Sequence, residues 1–422
     1  MSGAEVMKVL VITSAFPSKE GDPRGTFIDQ LVRAIAEQGM EVTVLAPGAP
    51  GAPAAEMWHG VRLHRARYWI DRWQTLATGV SGIVPNLRRR PWLIVQVPLI
   101  VASLTWSAVR LARRATLIHA HWVYPAGFAG LVAARVCGIP LILTSHGGDL
   151  NLARRSRILR SLAGWLSRSA DLCIGVSHAT VEEFRRNGVP PGRVRFVPLG
   201  VAPGDIPEAD RELHDPLLKE FLGQPGLRVV YVGSLIPRKS VITLLEAHAI
   251  MQEQGRDVAT LVVGAGPSEP ALRTFARERR LTRVFFAGSQ PPGMVRGWMR
   301  GGHVLVLPSR SEGRGLVLAE AMSEGLPVIA SDIPGPRELV VPDETGLLFP
   351  PGDATELAGC LRRLGDSALR RRLGAGGRAF ITEQGLTVVG SARQHVELYR
   401  ALHPAPPPSL KDAAARPHRA VS

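Results

Sequence analysis

The strongest indication of the fold is the stretch Pro308–Val340, which reads PSRSEGRGLVLAEAMSEGLPVIASDIPGPRELV. Before it, the short apolar run Val304–Leu307 predicts a buried strand, and a polar, glycine-broken loop follows. Apolar residues at helical spacing predict a helix over Leu316–Ser323 that opens on Gly315, and Val328–Ala330 predicts a second buried strand. The order strand, loop, helix, strand indicates a βα unit of an α/β domain.

Two carboxylates bracket this turn, Glu312 in the loop and Glu320 on the helix, with seven residues between them. The first free N–H groups of the helix, at Gly315 and Leu316, are a ready site for phosphate. The carboxylates can accept hydrogen bonds from sugar hydroxyls on either side of it. On spacing alone, a plain βα unit with two solvated glutamates remains an alternative.

The ordered string P-S-x-x-E-G-x-G-L-x-x-x-E-A-M-x-x-G-x-P-V-I-A, followed by G-x-x-E-L-V and T-G-L-L-F-P-P-G-D, resembles the signature of retaining glycosyltransferases of family 4. The resemblance implies an α/β protein of the GT-B fold, in which two Rossmann-like parallel-sheet domains face each other across a cleft. The chain differs at Arg314, where the family usually has an aromatic residue, and this allows an additional cation near the donor phosphates.

The resemblance also implies the residues of the donor side. The segment YVGSLIPRKS at 231–240 resembles the start of the donor domain, where Lys239, with Arg238 beside it, is expected to meet the donor diphosphate. Many relatives have glycine in place of Ser240. We expect Glu320 at the donor ribose and Glu312 at the hydroxyls of the sugar ring. The other donor-binding candidates are Gly313, Arg314, Gly315, Leu316 and Gly233.

On the acceptor side, the loop PSKEGDPRGTF at 17–27 resembles the loop of the family in which a glycine backs onto the cleft, so Gly25 is a candidate. Arg24 beside it either meets an anionic acceptor or is a solvated loop charge. In the family a histidine after a later strand lines the sugar pocket, with its backbone carbonyl towards the developing positive charge at the anomeric carbon. His146 matches this position, and Gly147 and Asp149 follow it.

The catalytic candidates are therefore His146, Glu312, Lys239 and Arg238. Asp149 either makes a polar contact to sugar or acceptor or is structural, and Glu338 is expected to be structural.

Two further local predictions concern the first domain. Thr26 is expected to cap a helix, with Asp29 as its capping-box partner. In the segment H-A-H-W, His119 and His121 are expected to face opposite sides of a strand, and therefore to be structural rather than to share a metal.

The composition limits the class of protein. The 422 residues suggest two or three domains, and 45% hydrophobic with 21% charged residues is typical of a folded protein. The three scattered cysteines and the lack of a recognisable signal peptide predict a cytoplasmic protein.

Residues 1–200 carry 24 Lys and Arg against 12 Asp and Glu, whereas the remainder carries 27 against 24. A basic first half predicts an anionic partner, and the lack of any nucleic-acid-binding motif leaves an anionic membrane surface or a phosphorylated substrate.

The predicted domains follow the sheet patterns. An acceptor-binding domain occupies residues 1–200, with a hydrophobic and basic insertion at 68–114. A linker at 201–226 leads to a donor domain at 227–384. A terminal helix at 385–403 is expected to cross back to the first domain, and the tail at 404–422 is expected to be disordered.

The insertion contains Trp92–Val109, which has no charge over 18 residues. The favoured interpretation is one or two buried helices, interrupted at Pro98. The second is an interfacial patch that places Trp69, Trp73 and Trp92 with Arg88–Arg90 at the lipid headgroups, peripheral on the inner face of the cell membrane. The third is a membrane span.

The predicted reaction moves a sugar from a nucleotide-diphosphate donor, of the UDP or GDP type, to the hydroxyl of a glycan or lipid-linked acceptor. The chain has no D-x-D motif and no cluster with metal-ligand spacing, so we expect neither metal nor cofactor, and the cations and the helix N-terminus would stabilise the leaving diphosphate. The resemblance implies retention. A nucleotide-sugar epimerase or isomerase and a non-catalytic scaffold are the alternatives.

Overall fold

The computed structural model describes residues 6–22, 24–78, 83–153, 156–201 and 215–402. These residues build two parallel sheets with helices packed against them. The strands are β1 Lys8–Thr13, β2 Glu41–Pro47, β3 Ala55–Trp58, β4 Val61–Ala66, β5 Leu117–His121, β6 Leu141–Ser145, β7 Leu172–Gly175, β8 Val194–Phe196, β9 Leu227–Val232, β10 Val258–Val263, β11 Val284–Gly288, β12 Val304–Leu307, β13 Val328–Ser331 and β14 Gly346–Phe349.

The helices alternate with the strands along most of the chain, as expected for parallel sheets. They are α1 Thr26–Glu37, α2 Ile83–Arg89, α3 Gln96–Ala112, α4 Phe128–Cys137, α5 Gly148–Ala153, α6 Arg157–Ser169, α7 His178–Arg186, α8 Pro216–Leu222, α9 Val241–Glu253, α10 Glu269–Glu278, α11 Pro292–Arg300, α12 Leu316–Ser323, α13 Pro334–Arg337, α14 Ala354–Arg363, α15 Ser367–Glu383 and α16 Val388–Leu402.

The first sheet has the order β3-β4-β2-β1-β5-β6-β7-β8 and is parallel except where β3 meets β4. Successive side chains of β1 enter different cores, Leu10 and Ile12 on one face and Val9 and Val11 on the other. This alternation follows from the two-residue period of a strand that is buried on both faces.

The second sheet has the order β11-β10-β9-β12-β13-β14 and is parallel throughout. Strand β12 and helix α12 have the bounds that the sequence predicts. The two sheets confirm the predicted fold class of two Rossmann-like domains.

The predicted capping box at the start of α1 is wrong. The helix begins at Thr26, but its N-cap is Gly25 in the left-handed conformation, with φ 65°, and no side chain among the described residues caps it. Asp29 instead forms an ion pair with Arg33 and accepts a hydrogen bond of 3.0 Å from the indole N–H of Trp58. The carboxylate is therefore used for tertiary packing instead of capping.

Helix α16 packs on the first domain, although it follows the second in sequence. Val388, Ala392 and Val396 lie in the same core as the β1 residues that face α1. The crossing point is tight, because a Cβ on Gly200 would lie 2.0 Å from the backbone of Thr387. Residues 202–214 of the predicted linker and the tail from 403 onwards lie outside the described residues.

The favoured interpretation of the apolar insertion is correct for one face only. Within the described ranges, 91–112 is the one helical stretch long and apolar enough to cross a membrane, and 28% of its most apolar window is buried. One edge of α3, including Ile100 and Leu104, packs into the core, whereas Trp92 and Trp106 are exposed. Pro98 does not interrupt α3 because it lies in the first turn, where a missing N–H costs little.

Candidate active site

The loop between β12 and α12 turns sharply at Gly315. This residue has φ 85°, and a Cβ there would lie 3.0 Å from Cδ2 of Leu307. The carbonyl of Gly315 accepts the N–H of Leu318 at 2.8 Å. The turn therefore requires glycine, and it leaves Leu316 at the open N-terminus of α12.

Glu312, Lys239 and Arg238 come together, although 73 residues separate the lysine from the glutamate. The Lys239 ammonium forms an ion pair with Oε1 of Glu312, and the Arg238 guanidinium lies 3.7 Å from Oε2. Ser309, which sequence reasoning missed, donates its hydroxyl to Glu312 Oε1 at 2.6 Å. Burial alone would raise the pKa of Glu312, but the neighbouring Lys239 and Arg238 charges hold this pKa below its usual range. The glutamate is therefore ionised and faces the lysine.

Two backbone positions shape this part of the site. Ser240, which follows the lysine where many relatives have glycine, adopts φ 48° and ψ 41°, a left-handed conformation that glycine adopts without strain. Gly233 directly follows β9 and has φ 152°, and a Cβ there would lie 2.9 Å from the hydroxyl of Tyr231. Ser240 therefore holds a backbone conformation that is strained for a residue with a side chain.

Glu320 lies on α12, eight positions after Glu312, and is half-buried. Burial raises the pKa of Glu320, and the charge of Arg296 partly opposes this shift. A carboxylate that is this poorly solvated gains from hydroxyl donors, which is consistent with the predicted ribose contact.

Arg314, for which the sequence allowed a place near the donor phosphates, contacts the first domain instead. Its guanidinium lies 5.5 Å from the ring centroid of Phe196, in the first domain, and Nε and Nη1 are buried without a partner among the described residues. His178 stacks on the same phenyl ring, with the ring centroids 4.3 Å apart. Burial lowers the pKa of Arg314, and the neighbouring Glu338 opposes this. Arg314 therefore belongs to the contact between the domains.

Glu338 contributes to the same contact. Its Oε1 accepts the backbone N–H groups of His178 at 2.7 Å and Ala179 at 3.4 Å, at the start of α7. A carboxylate at a helix N-terminus is favourable because it meets free N–H groups and the positive end of the helix dipole. The structure thus gives Glu338 a place at the interface.

The two domains also touch through backbone at the candidate sugar site. A Cβ on Gly313 would lie 2.5 Å from the carbonyl oxygen of His146, and a Cβ on Gly147 would lie 3.2 Å from Cα of Gly313. Gly147 has φ 87°. The loop between β12 and α12, which we call the donor loop, and the loop after β6 therefore approach as closely as glycine permits.

The side chain of His146 is packed among aromatic rings. Its ring centroid lies 5.0 Å from that of Phe27 and 4.7 Å from that of Trp122. Its Nε2 lies 3.1 Å from Nδ1 of His121. Burial, with the neighbouring His395, lowers the pKa of His146 to about 3, so the imidazole is neutral at pH 7.

The prediction that His119 and His121 face opposite sides is wrong. Their ring centroids are 4.1 Å apart. Residues two apart in a strand share a face, and this rule, correctly applied, would have placed the two rings side by side.

Two acceptor-side candidates are occupied by internal contacts. Arg24 pairs with Asp22 through Nη2 at 2.7 Å and donates from Nη1 to the carbonyl of Ala77 at 2.8 Å, so it is not the solvated loop charge considered above. Asp149 is buried and accepts the N–H of Val123 at 2.8 Å and the hydroxyl of Ser145 at 2.7 Å. Both side chains hold together loops that follow the interior strands β1 and β6 of the first sheet.

Gly25 backs onto another loop, because a Cβ there would lie 2.4 Å from the carbonyl oxygen of Ala15. It is two residues from Phe27, which contacts His146.

Within the described residues no group of three or more His, Cys, Asp or Glu side chains is arranged to hold a metal ion.

Comparisons with known proteins identify the family of both domains. The family described as Glycosyltransferase Family 4 matches residues 25–204, and the family described as Glycosyl transferases group 1 matches residues 226–367. The chain is 30% identical over 359 residues to 2-deoxystreptamine glucosyltransferase of Streptomyces kanamyceticus, covering 80% of this chain and 88% of that protein. It is 29% identical over 388 residues to the GDP-mannose-dependent alpha-mannosyltransferase of Mycolicibacterium smegmatis, covering 86% and 92%.

Among solved structures, the sucrose-phosphate synthase of Thermosynechococcus elongatus superimposes with a TM-score of 0.77 at 26% identity, covering 94% of this chain and 99% of that chain. This likeness confirms the predicted GT-B arrangement of the two sheets. With both domains matched and one relative similar over most of its length, the chain belongs to the group 1 glycosyltransferases of family 4 and is a sugar-transferring enzyme.

Proposed function

We propose that this glycosyltransferase is retaining and metal-independent, and that it transfers a sugar from a UDP or GDP sugar to a hydroxyl of a lipid-linked or polysaccharide precursor of the cell envelope. The observation that carries the proposal is the cluster of Lys239, Arg238 and Glu312 beside the N-terminus of α12, next to the contact of Gly313 with His146. It combines cations for a diphosphate with a carboxylate for sugar hydroxyls.

The ion pair of Lys239 with Glu312 suggests how the donor is received. A diphosphate carries more negative charge than one carboxylate, so it competes for the lysine and for the half-exposed Arg238. Glu312 then stays ionised, and its oxygens accept hydrogen bonds from the sugar hydroxyls. One exchange of partners thus fixes the phosphates and orients the sugar.

In the transfer step, the bond between the anomeric carbon and the diphosphate oxygen breaks and a bond to the acceptor oxygen forms on the same face. The acceptor proton passes to the leaving phosphate oxygen, which keeps the atoms and charges balanced. The developing negative charge is stabilised by Lys239, Arg238 and the free N–H groups at Leu316. The carbonyl of His146 faces the donor loop and would stabilise positive charge at the anomeric carbon.

The proposed acceptor and location rest on an exposed apolar surface of the first domain. Trp92, Leu99 and Trp106 of this surface are exposed, and beside them α3 and α4 form a shallow apolar groove of about 620 Å³. Exposed arginines lie at both ends of the helix: Arg88, Arg89, Arg90, Arg110, Arg113 and Arg114. Aromatic and apolar side chains flanked by cations suit an anionic lipid surface, so we place the enzyme in the cytoplasm, peripheral on the membrane.

Donor binding is tested by thermal shift with UDP, GDP, ADP and their sugars on the wild type, Glu320→Ala and the control Glu278→Ala, an exposed glutamate of α10. A ligand at a hundredfold excess over its dissociation constant stabilises the folded state by about 2.7 kcal/mol. We expect a shift with one nucleotide family that Glu320→Ala weakens and Glu278→Ala does not. A chain that none of these ligands stabilises would contradict the proposed donor site.

Membrane binding is tested by sedimentation with vesicles of phosphatidylglycerol or phosphatidylcholine at low salt. We expect binding to the anionic vesicles only, lost on adding salt because surface charges are screened. Trp106→Ala should weaken binding, whereas Trp165→Ala, which changes an exposed tryptophan of α6, should not. Equal binding by both variants would remove α3 from the proposed membrane surface.

A further inference from the structure

Four histidine rings form a continuous column from the crossing helix to the candidate sugar site. The ring centroid of His395, on α16, lies 5.3 Å from that of His119, which lies 4.1 Å from that of His121. The His121 and His146 centroids are 5.3 Å apart, and these two rings are nearly parallel. His119, His121 and His395 are each at most 1% exposed. We call this set the histidine column.

The middle of the column is held rigidly. Nδ1 of His119 lies 2.6 Å from the hydroxyl of Tyr399, and its Nε2 lies 2.7 Å from the hydroxyl of Thr144. Both ring nitrogens therefore have partners, one on α16 and one on β6, and the ring cannot rotate without losing a buried hydrogen bond. His121 packs against this fixed ring.

The contact of His121 with His146 is the polar link between the column and the site. Nδ1 of His121 lies 3.1 Å from Nε2 of His146, so one nitrogen donates and the other accepts. The remaining nitrogens, Nε2 of His121 and Nδ1 of His146, are buried without a partner among the described residues. This single hydrogen bond therefore couples the two tautomers: when His121 donates from Nδ1, His146 carries its proton on Nδ1, and when His146 donates from Nε2, His121 carries its proton on Nε2.

We propose that His121 is a positioning residue for sugar transfer: it fixes the ring orientation of His146 and couples the tautomer of that ring to its own, next to the point where the backbone carbonyl of His146 meets the donor loop. The inference rests on the proposed function, in which His146 lines the sugar site. His121 acts through His146 and has no contact with the substrate. Its effect should therefore appear in the rate of transfer rather than in the affinity for the nucleotide.

The test compares His121→Asn with His121→Leu, two side chains of similar shape. Only asparagine keeps a hydrogen-bonding atom near the position of Nδ1. The assay uses the nucleotide sugar selected by thermal shift as donor and a lipid-linked or polysaccharide precursor as acceptor. We expect His121→Leu to lower kcat about five- to tenfold, the effect of losing one hydrogen bond, with little change in KM for the donor. His121→Asn should recover most of this loss. His248→Leu is the control, because His248 is a buried histidine of the donor domain that bonds to Thr260 at 2.8 Å, and it should lower Tm without lowering kcat.

A second measurement does not depend on activity. Nitrogen-15 NMR of the imidazole rings should show His146 neutral and in one tautomer at pH 7 in the wild type and in His121→Asn, and in a mixture of tautomers in His121→Leu. Equal kcat for the two variants, or an unchanged tautomer in His121→Leu, would overturn the proposal. Failure of the proposed function is distinguishable, because the wild type would then bind no nucleotide while its ring signals stayed as expected.

Discussion

The ion pair of Lys239 with Glu312 leads to a quantitative prediction for Lys239→Met. The two side chains are only 14% and 7% exposed, so removal of the lysine leaves a buried carboxylate. Loss of one partner of a buried pair typically costs about 3–5 kcal/mol. Arg238 at 3.7 Å and the Ser309 hydroxyl at 2.6 Å remain, so we expect a cost near the lower end, about 3 kcal/mol, in the free energy of unfolding.

The double variant Lys239→Met/Glu312→Leu removes the stranded charge and should recover part of this loss. We expect a coupling energy of about 2 kcal/mol between the two positions, measured by urea denaturation at pH 7. The folded-state pKa of Glu312 is lowered, so its contribution is present above the unfolded value near 4.5 and is lost as the pH falls through the lower folded value. The penalty for Lys239→Met should shrink in that acidic range.

The matched control is the exposed pair of Arg363 with Asp343, in which Arg363→Met should cost less than about 0.5 kcal/mol. If the costs of Lys239→Met and Glu312→Leu simply add in the double variant, the two charges are not coupled. The partner exchange proposed for donor binding would then lose its basis.

Two further predictions concern the first domain. Hydrogen bonds from Arg24 and Ser18 outweigh burial and lower the pKa of Asp22 from 3.8 to about 2. Relative to Asp22→Asn, the wild type should therefore lose roughly 2 kcal/mol of stability as the pH falls from 3.8 through 2, measured by urea denaturation, and stability curves of the two proteins that run parallel with pH would contradict this. Gly25→Ala places a Cβ 2.4 Å from the carbonyl oxygen of Ala15, whereas a Cβ at Gly21 meets nothing within 4 Å. Gly25→Ala should therefore lower stability by about 1–3 kcal/mol more than Gly21→Ala, and equal Tm values for the two variants would refute the clash.

Much of the donor domain was predictable from local sequence. The bounds of β12 and α12 follow from an apolar run, a glycine and helical spacing, because these features act between neighbours in the chain. The positive φ of Gly315 is likewise a local requirement of the turn. The long family string then identified the two-domain fold, which the sheets confirm.

The acceptor side was less predictable because its polar groups find partners from distant segments. Arg24 pairs with Asp22, two residues away, but also donates to a carbonyl 53 residues away, and Asp149 accepts from a backbone N–H 26 residues earlier. No periodic pattern in the sequence indicates partners at such separations. The exposed side of α3 was also hidden, since a helix that is apolar all round gives no signal for the face that meets the core.

The sequence alone was sufficient for the family, the two parallel-sheet domains and the donor loop, because ordered motifs and short-range patterns carry them. Tertiary structure was needed for the surroundings of His146. The register of β5 with β6 pairs His121 with Thr144, and α16 returns 280 residues after His119 to supply Tyr399. Contacts of that separation depend on how sheets and helices pack, so the histidine column exists only in the folded chain.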